Sequence, residues 1–77
     1  MNIKEVKREV VFRRVDATVV LDIEGKQLTI DRTVIYDSSE AEDSWTPQTP
    51  QDVAMVEAMT EEDRDDLDDF IRGEVNI

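Results

Sequence analysis

The chain contains no cysteine and no histidine, and only two glycines, two prolines, one Trp, one Tyr and two Phe among 77 residues. Each shortage excludes something. Without cysteine there is no disulfide framework and no zinc–thiolate site to support a small core. Without histidine the commonest general base and the commonest metal ligand are both missing. With glycine only at Gly25 and Gly73, no phosphate-cradling loop can be built. The three serines, Ser38, Ser39 and Ser44, have no base at a recognised spacing. An enzyme is therefore not expected, and neither is a cofactor or a metal. No run approaches the roughly 18 apolar residues of a membrane span. The opening Met-Asn-Ile-Lys-Glu-Val-Lys-Arg-Glu is too charged for a secretory signal. The expected setting is cytoplasmic.

What the chain has in excess is negative charge, with twenty Asp and Glu against nine Lys and Arg, a net of −11. The excess is not spread evenly. Up to Tyr36, seven basic side chains face six acidic ones, a net of +1. Beyond Tyr36, only Arg64 and Arg72 oppose fourteen acids, a net of −12. Adaptation to salt would acidify the whole surface, whereas this pattern describes one acidic region. Such a field repels nucleic acid and anionic lipid and attracts basic partners.

The expected fold is α+β: one domain over residues 1–77, with a three-stranded antiparallel β-meander packed on one face by one long or two short C-terminal helices. Residues 1–36 form the meander. Ala17, Val19, Leu21 and Ile23 alternate with Thr18, Val20 and Asp22, and Leu28, Ile30, Arg32, Val34 and Tyr36 alternate with Thr29, Asp31, Thr33 and Ile35. A period of two with β-branched enrichment marks half-buried strands. A two-residue turn at Glu24-Gly25 sets Leu21 opposite Leu28 and Val19 opposite Ile30, so turn and pattern agree on register. Glu5 to Val15 supplies the third strand, joined through a tight Val15-Asp16-Ala17 link. Val6, Val10 and Phe12 are expected on its core face.

Residues 37–49 read as an acidic loop in which Trp45 folds back to cap the core. Residues 50–73 read as an acidic helical segment, and 74–77 as a tail. Thr49 N-caps a helix with Pro50 in its first turn. Thr60 offers a second cap three residues before Asp63. Val53, Val56, Met59, Leu67, Phe70 and Ile71 are the apolar helical positions, and Gly73 is placed to end the helix.

Glu61 to Asp69 holds seven carboxylates in nine residues. Like charges at i, i+4 each destabilise a helix by about 0.2–0.5 kcal/mol, so helix stability does not account for the run. A calcium loop needs alternating oxygen ligands with Gly at position six. Starting at Asp63 puts Asp68 there, and starting at Asp68 puts Phe70 and Arg72 at ligand positions. Two readings remain: a solvated face, and a surface presenting carboxylates to a partner's Lys and Arg in imitation of phosphates. On the second reading Glu61, Glu62, Asp65, Asp66, Asp68 and Asp69 carry binding, with Glu40, Glu42, Asp43 and Trp45. The partner is a basic, nucleic-acid-binding protein, and the chain acts as a monomer or homodimer.

In size and charge the chain is similar to the small acidic inhibitors of bacteriophages and mobile elements. Several of those mimic DNA and block restriction, CRISPR or nucleoid proteins. The likeness rests on no motif and transfers no residue role. The alternative class is a small structural or assembly subunit acting through a sheet edge or a homo-oligomer interface. Lys4, Lys7, Arg8, Arg13 and Arg14 cluster on the first strand, where they pair with acids elsewhere in the chain and protect an edge, or else supply a second contact or the complementary half of a head-to-tail dimer.

Overall fold

Glu24 and Gly25 both adopt positive φ, 52° and 83°. That pair of conformations makes the two-residue turn whose twist matches the strands it joins. Asp22 Oδ1 accepts from the Gly25 N–H at 2.9 Å and fixes the turn. The computed structural model describes residues 1–36 and 41–75. Around this turn β2 (Arg14–Ile23) pairs with β3 (Lys26–Tyr36), with Ile23 opposite Lys26, Leu21 opposite Leu28 and Val19 opposite Ile30. The expected register holds throughout.

The sheet has four strands, not three. β1 (Asn2–Val11) and β4 (Ala41–Pro47) flank the central pair in the antiparallel order β1-β2-β3-β4. β4 replaces most of the expected acidic loop; residues 37–40, including Asp37 and Glu40, lie outside the described residues. Its alternation is hidden in the sequence because only Trp45 is strongly apolar. Asp43 and Trp45 are half-buried while Glu42, Ser44 and Thr46 are exposed. The first hairpin also differs from expectation. It turns at Phe12-Arg13, with Val11 opposite Arg14 and Arg13 at φ 59°, rather than at Val15-Asp16-Ala17.

The helical segment breaks in two: α1 (Pro50–Glu57) and α2 (Glu61–Glu74). Thr49 caps α1 in a reciprocal capping box with Asp52, and Thr60 accepts from the Asp63 N–H to start α2. Two strong N-caps eleven residues apart leave no reason for one continuous helix. Arg64 closes the joint by donating to the carbonyls of Val56 (3.1 Å) and Glu57 (2.8 Å) in the last turn of α1. Gly73 does not end α2; the helix runs through it to Glu74, and Val75 returns to the core instead of starting a tail.

Ala17, Val19, Leu21, Leu28, Ile30, Leu67, Ile71 and Val75 form the buried core, flanked by half-buried Val6, Ile23, Trp45, Met55, Val56, Met59 and Phe70. Trp45 therefore caps the core as expected. Val10 and Phe12 do not join it, at 79% and 85% exposed. Val10 lies on the helix side of β1, where no helix reaches, and Phe12 sits in the turn, its ring 5.0 Å from the Arg13 guanidinium carbon. Val53 points outward, 37% exposed, because α1 turns Met55 and Val56 inward instead.

The turn geometry gives a first prediction. Glu24 holds a left-handed conformation that asparagine tolerates better than glutamate. Glu24→Asn should stabilise the protein by about 0.5 kcal/mol, read as a raised urea midpoint with an unchanged slope. A lowered midpoint would contradict this account of the turn.

Candidate functional site

β3 buries one charged residue on its core face. Arg32 follows Leu28 and Ile30 in the inward set and is only 5% exposed. A guanidinium there must be paired at nearly every N–H, because desolvating it without partners would cost several kcal/mol. Nε and Nη2 donate to the two oxygens of Asp43 at 2.9 and 2.7 Å. Nη1 donates to the carbonyls of Ile71 and Val75, each at 2.7 Å. The bidentate pair ties β3 to β4 on the diagonal, and the other two bonds satisfy carbonyls at the C-terminal end of α2. The Ile71 carbonyl lies in the last turn of α2, at the negative end of its dipole, and the Val75 carbonyl lies just beyond it.

A second cationic link lies beside it. Arg72 donates from Nε to Asp68 Oδ1 and Oδ2 at 3.0 and 3.1 Å, and from Nη1 to the Asp43 carbonyl at 2.7 Å. Trp45 Nε1 donates to Asp68 Oδ1 at 2.8 Å. Three of the expected partner-binding residues, Asp43, Asp68 and Trp45, thus belong to one internal network that joins β4 to α2.

Asp52 does a comparable job at the other end of β4. It is buried, and Oδ1 accepts from the Thr29 N–H at 3.1 Å. Thr29 lies just beyond Ile30, where the β3–β4 ladder ends at Pro47. The carboxylate takes over where strand pairing stops, while Oδ2 accepts from the Thr49 N–H at 3.1 Å.

These contacts shift three carboxyl groups below their ordinary values. For Asp43 the Arg32 hydrogen bond leads; burial opposes it, and the Arg32 and Arg72 charges add to it. For Asp68 the Trp45 hydrogen bond leads, opposed by burial and helped by Arg72. For Asp52 burial is the largest influence and pushes upward, but the hydrogen bonds from Thr49 and Thr29 together outweigh it.

The remaining expected residues are placed differently. Glu61, Glu62, Asp65, Asp66 and Asp69 are all exposed on α2. At about 100° per residue they fall within an arc of about 140°, opposite the buried Leu67 and Ile71. Among the described residues, none of the five takes part in an ion pair. Asp66 sits at the edge of the arc, on the rim of an open groove of about 490 Å³ that Ile23, Lys26, Met55, Met59 and Leu67 also line. Glu42 is exposed on the far side of the sheet, opposite Ile35 and away from α2. Glu40 lies outside the described residues. No group of three or more Asp or Glu among the described residues is arranged to hold a metal ion. No described helix is long and apolar enough to cross a membrane.

The sequence reading missed the role of Arg32, although the signal was present. A charge inside an apolar strand register calls for a carboxylate on a neighbouring strand, and Asp43 is the acid that β4 brings there.

Two outcomes test this network. Arg32→Ala takes the bidentate partner from Asp43, which keeps only Arg72 at 3.6 Å, and uncovers the carbonyls of Ile71 and Val75; it should destabilise the protein by about 3 kcal/mol, a large share of the stability of a chain this size. Far-UV circular dichroism with urea titration reads this directly. For acid, the three lowered carboxyls bind fewer protons folded than unfolded. The stability they contribute is complete above about pH 4, the unfolded carboxylate range, and is lost as pH falls through their folded values. Urea midpoints followed by Trp45 fluorescence should therefore drop below about pH 4, and Asp52→Asn should flatten that drop. Comparison with protein-family models, with curated proteins and with solved structures gives no match to this chain, so these roles rest on its own geometry.

Proposed function

We propose that this protein is a small acidic inhibitor or regulator that occupies a basic site on a nucleic-acid-binding protein, with the outer face of α2 as its contact surface. Glu61, Glu62, Asp65, Asp66 and Asp69 carry the interaction. The observation behind the proposal is that these acids are exposed together and, among the described residues, unpaired, while Arg64 and Arg72 on the same helix are used elsewhere. Arg64 is engaged with the carbonyls of α1. Arg72, which lies within the same arc of α2, is turned toward β4 and held by Asp68 and the Asp43 carbonyl.

The physical logic is that of phosphate replacement. Residues four apart on a helix are about 6 Å apart along its axis, so α2 presents repeated carboxylates on a rigid rod. A basic groove meeting them gains long-range steering and charge-assisted hydrogen bonds of the kind phosphates provide. Mimicry of DNA, an origin in a phage or mobile element, and a restriction, CRISPR or nucleoid protein as target are the specific forms this reading takes. Asp43, Asp68 and Trp45 support the surface by fixing the end of α2 rather than by direct contact.

The test is affinity capture from lysate at low and high salt, with identification by mass spectrometry and competition by duplex DNA. The protein should capture basic proteins that both salt and DNA displace. The triple variant Asp65→Lys, Asp66→Lys, Asp69→Lys should keep its circular dichroism spectrum and lose that capture. Equal capture by the folded triple variant would refute the proposal.

A further inference from the structure

The two edges of the sheet are finished very differently. β4 is seven residues long, ends at Pro47 and has its Asp43 carbonyl covered by Arg72. These are features that discourage another strand from adding. β1 is ten residues long, contains no proline and, among the described residues, pairs only with β2. Ile3, Val6 and Val10 lie opposite Leu21, Val19 and Val15 and so share the helix side of the sheet. Yet Ile3 is 41% and Val10 79% exposed, because the helices stop short of this strand. One irregularity, the extra residue at Lys4, leaves Glu5–Val11 as an unbroken ladder.

Charge along that ladder alternates in sign on the solvent side, as Glu5, Lys7 and Glu9. The order restricts how β1 can meet itself. An antiparallel pair centred on Lys7 would set Lys7 against Lys7 and Glu5 against Glu9. A pair centred on Val6 would run the Lys4 irregularity into the ladder. Centring on Arg8 uses the whole regular stretch. It sets Lys7 against Glu9 twice and Val6 against Val10 twice, with Glu5 beside Val11. Opposite charges and β-branched pairs directly across a ladder are favourable. The one repulsive pair is Arg8 with its own copy, on the axis and on the helix side.

We propose that β1 pairs antiparallel with β1 of a second copy about a two-fold axis at Arg8, joining two four-stranded sheets into one of eight strands. The axis stands perpendicular to the sheet, so both helical layers lie on the same face. Val6 and Val10 of both copies then floor a channel between the layers, and the apolar surface left open in the single chain becomes shared. This gives the assembly role through a sheet edge a defined contact, and it does not depend on the acidic face of α2.

Sedimentation equilibrium in about 0.15 M salt tests it. The expected result is a reversible monomer–dimer equilibrium, and a protein that remains monomeric at about 1 mM overturns the proposal. Lys7→Glu should weaken the dimer about tenfold, since two attractive pairs become repulsive. Adding Glu9→Lys should restore it, and Arg8→Leu should tighten it. All three positions are exposed, and circular dichroism confirms folding of each variant. Self-association that ignores the Lys7 and Glu9 exchange places the contact elsewhere and likewise overturns the proposal.

Discussion

A single buried guanidinium decides whether the layers of this protein stay together. Arg32 extends from the middle of the sheet and is bonded at once to the neighbouring strand and to the end of the last helix. The apolar core is small, as it must be in a chain of this length. Hydrophobic burial is non-directional and would accept several placements of α2 over the sheet. The four directional bonds of Arg32 select one. A buried ion pair is weak evidence of net stability but a good device for uniqueness, and here it fixes the relation of β3, β4 and α2 together.

That relation also explains how the acids divide. Those that face the sheet or the helix joints are used internally: Asp43 with Arg32, Asp68 with Trp45 and Arg72, Asp52 with Thr29 and Thr49. Those on the outer arc of α2 are left to solvent. The chain has only two basic residues beyond Tyr36, and both serve architecture. The outer face therefore keeps its full negative charge, in a helix that would be steadier with fewer carboxylates. The arrangement is consistent with the proposed contact surface and gives it a rigid support.

Much of the fold was legible in the sequence because periodicity and turn chemistry agreed. The β2–β3 register followed from Glu24-Gly25 and the alternating apolar set, and both helix starts followed from Thr49 and Thr60. β4 was illegible for a physical reason. Its inward positions are Asp43 and Trp45, and an inward aspartate looks like loop until its arginine is known. Val10 was misplaced because an alternating pattern shows which side of a strand a residue takes, not whether anything covers that side, and Phe12 because the strand ends at Val11 and the chain turns there. The exposed acids were readable as a run, but their division into internal and external groups depends on Asp68 meeting Trp45 across two elements, which no local spacing encodes.

Arg32 reaches partners 39 and 43 positions away along the chain. Loops of that span are entropically harder to close than the two-residue turns that join β1 to β2 and β2 to β3. The hairpins accordingly have to assemble first, because the guanidinium has nothing to grip until strands and helix already lie side by side. A contact completed so late contributes little to the speed of folding and much to the slowness of unfolding. The arginine in the middle of β3 is thus less a nucleus than a lock, setting the lifetime of the native state after the sheet has set its shape.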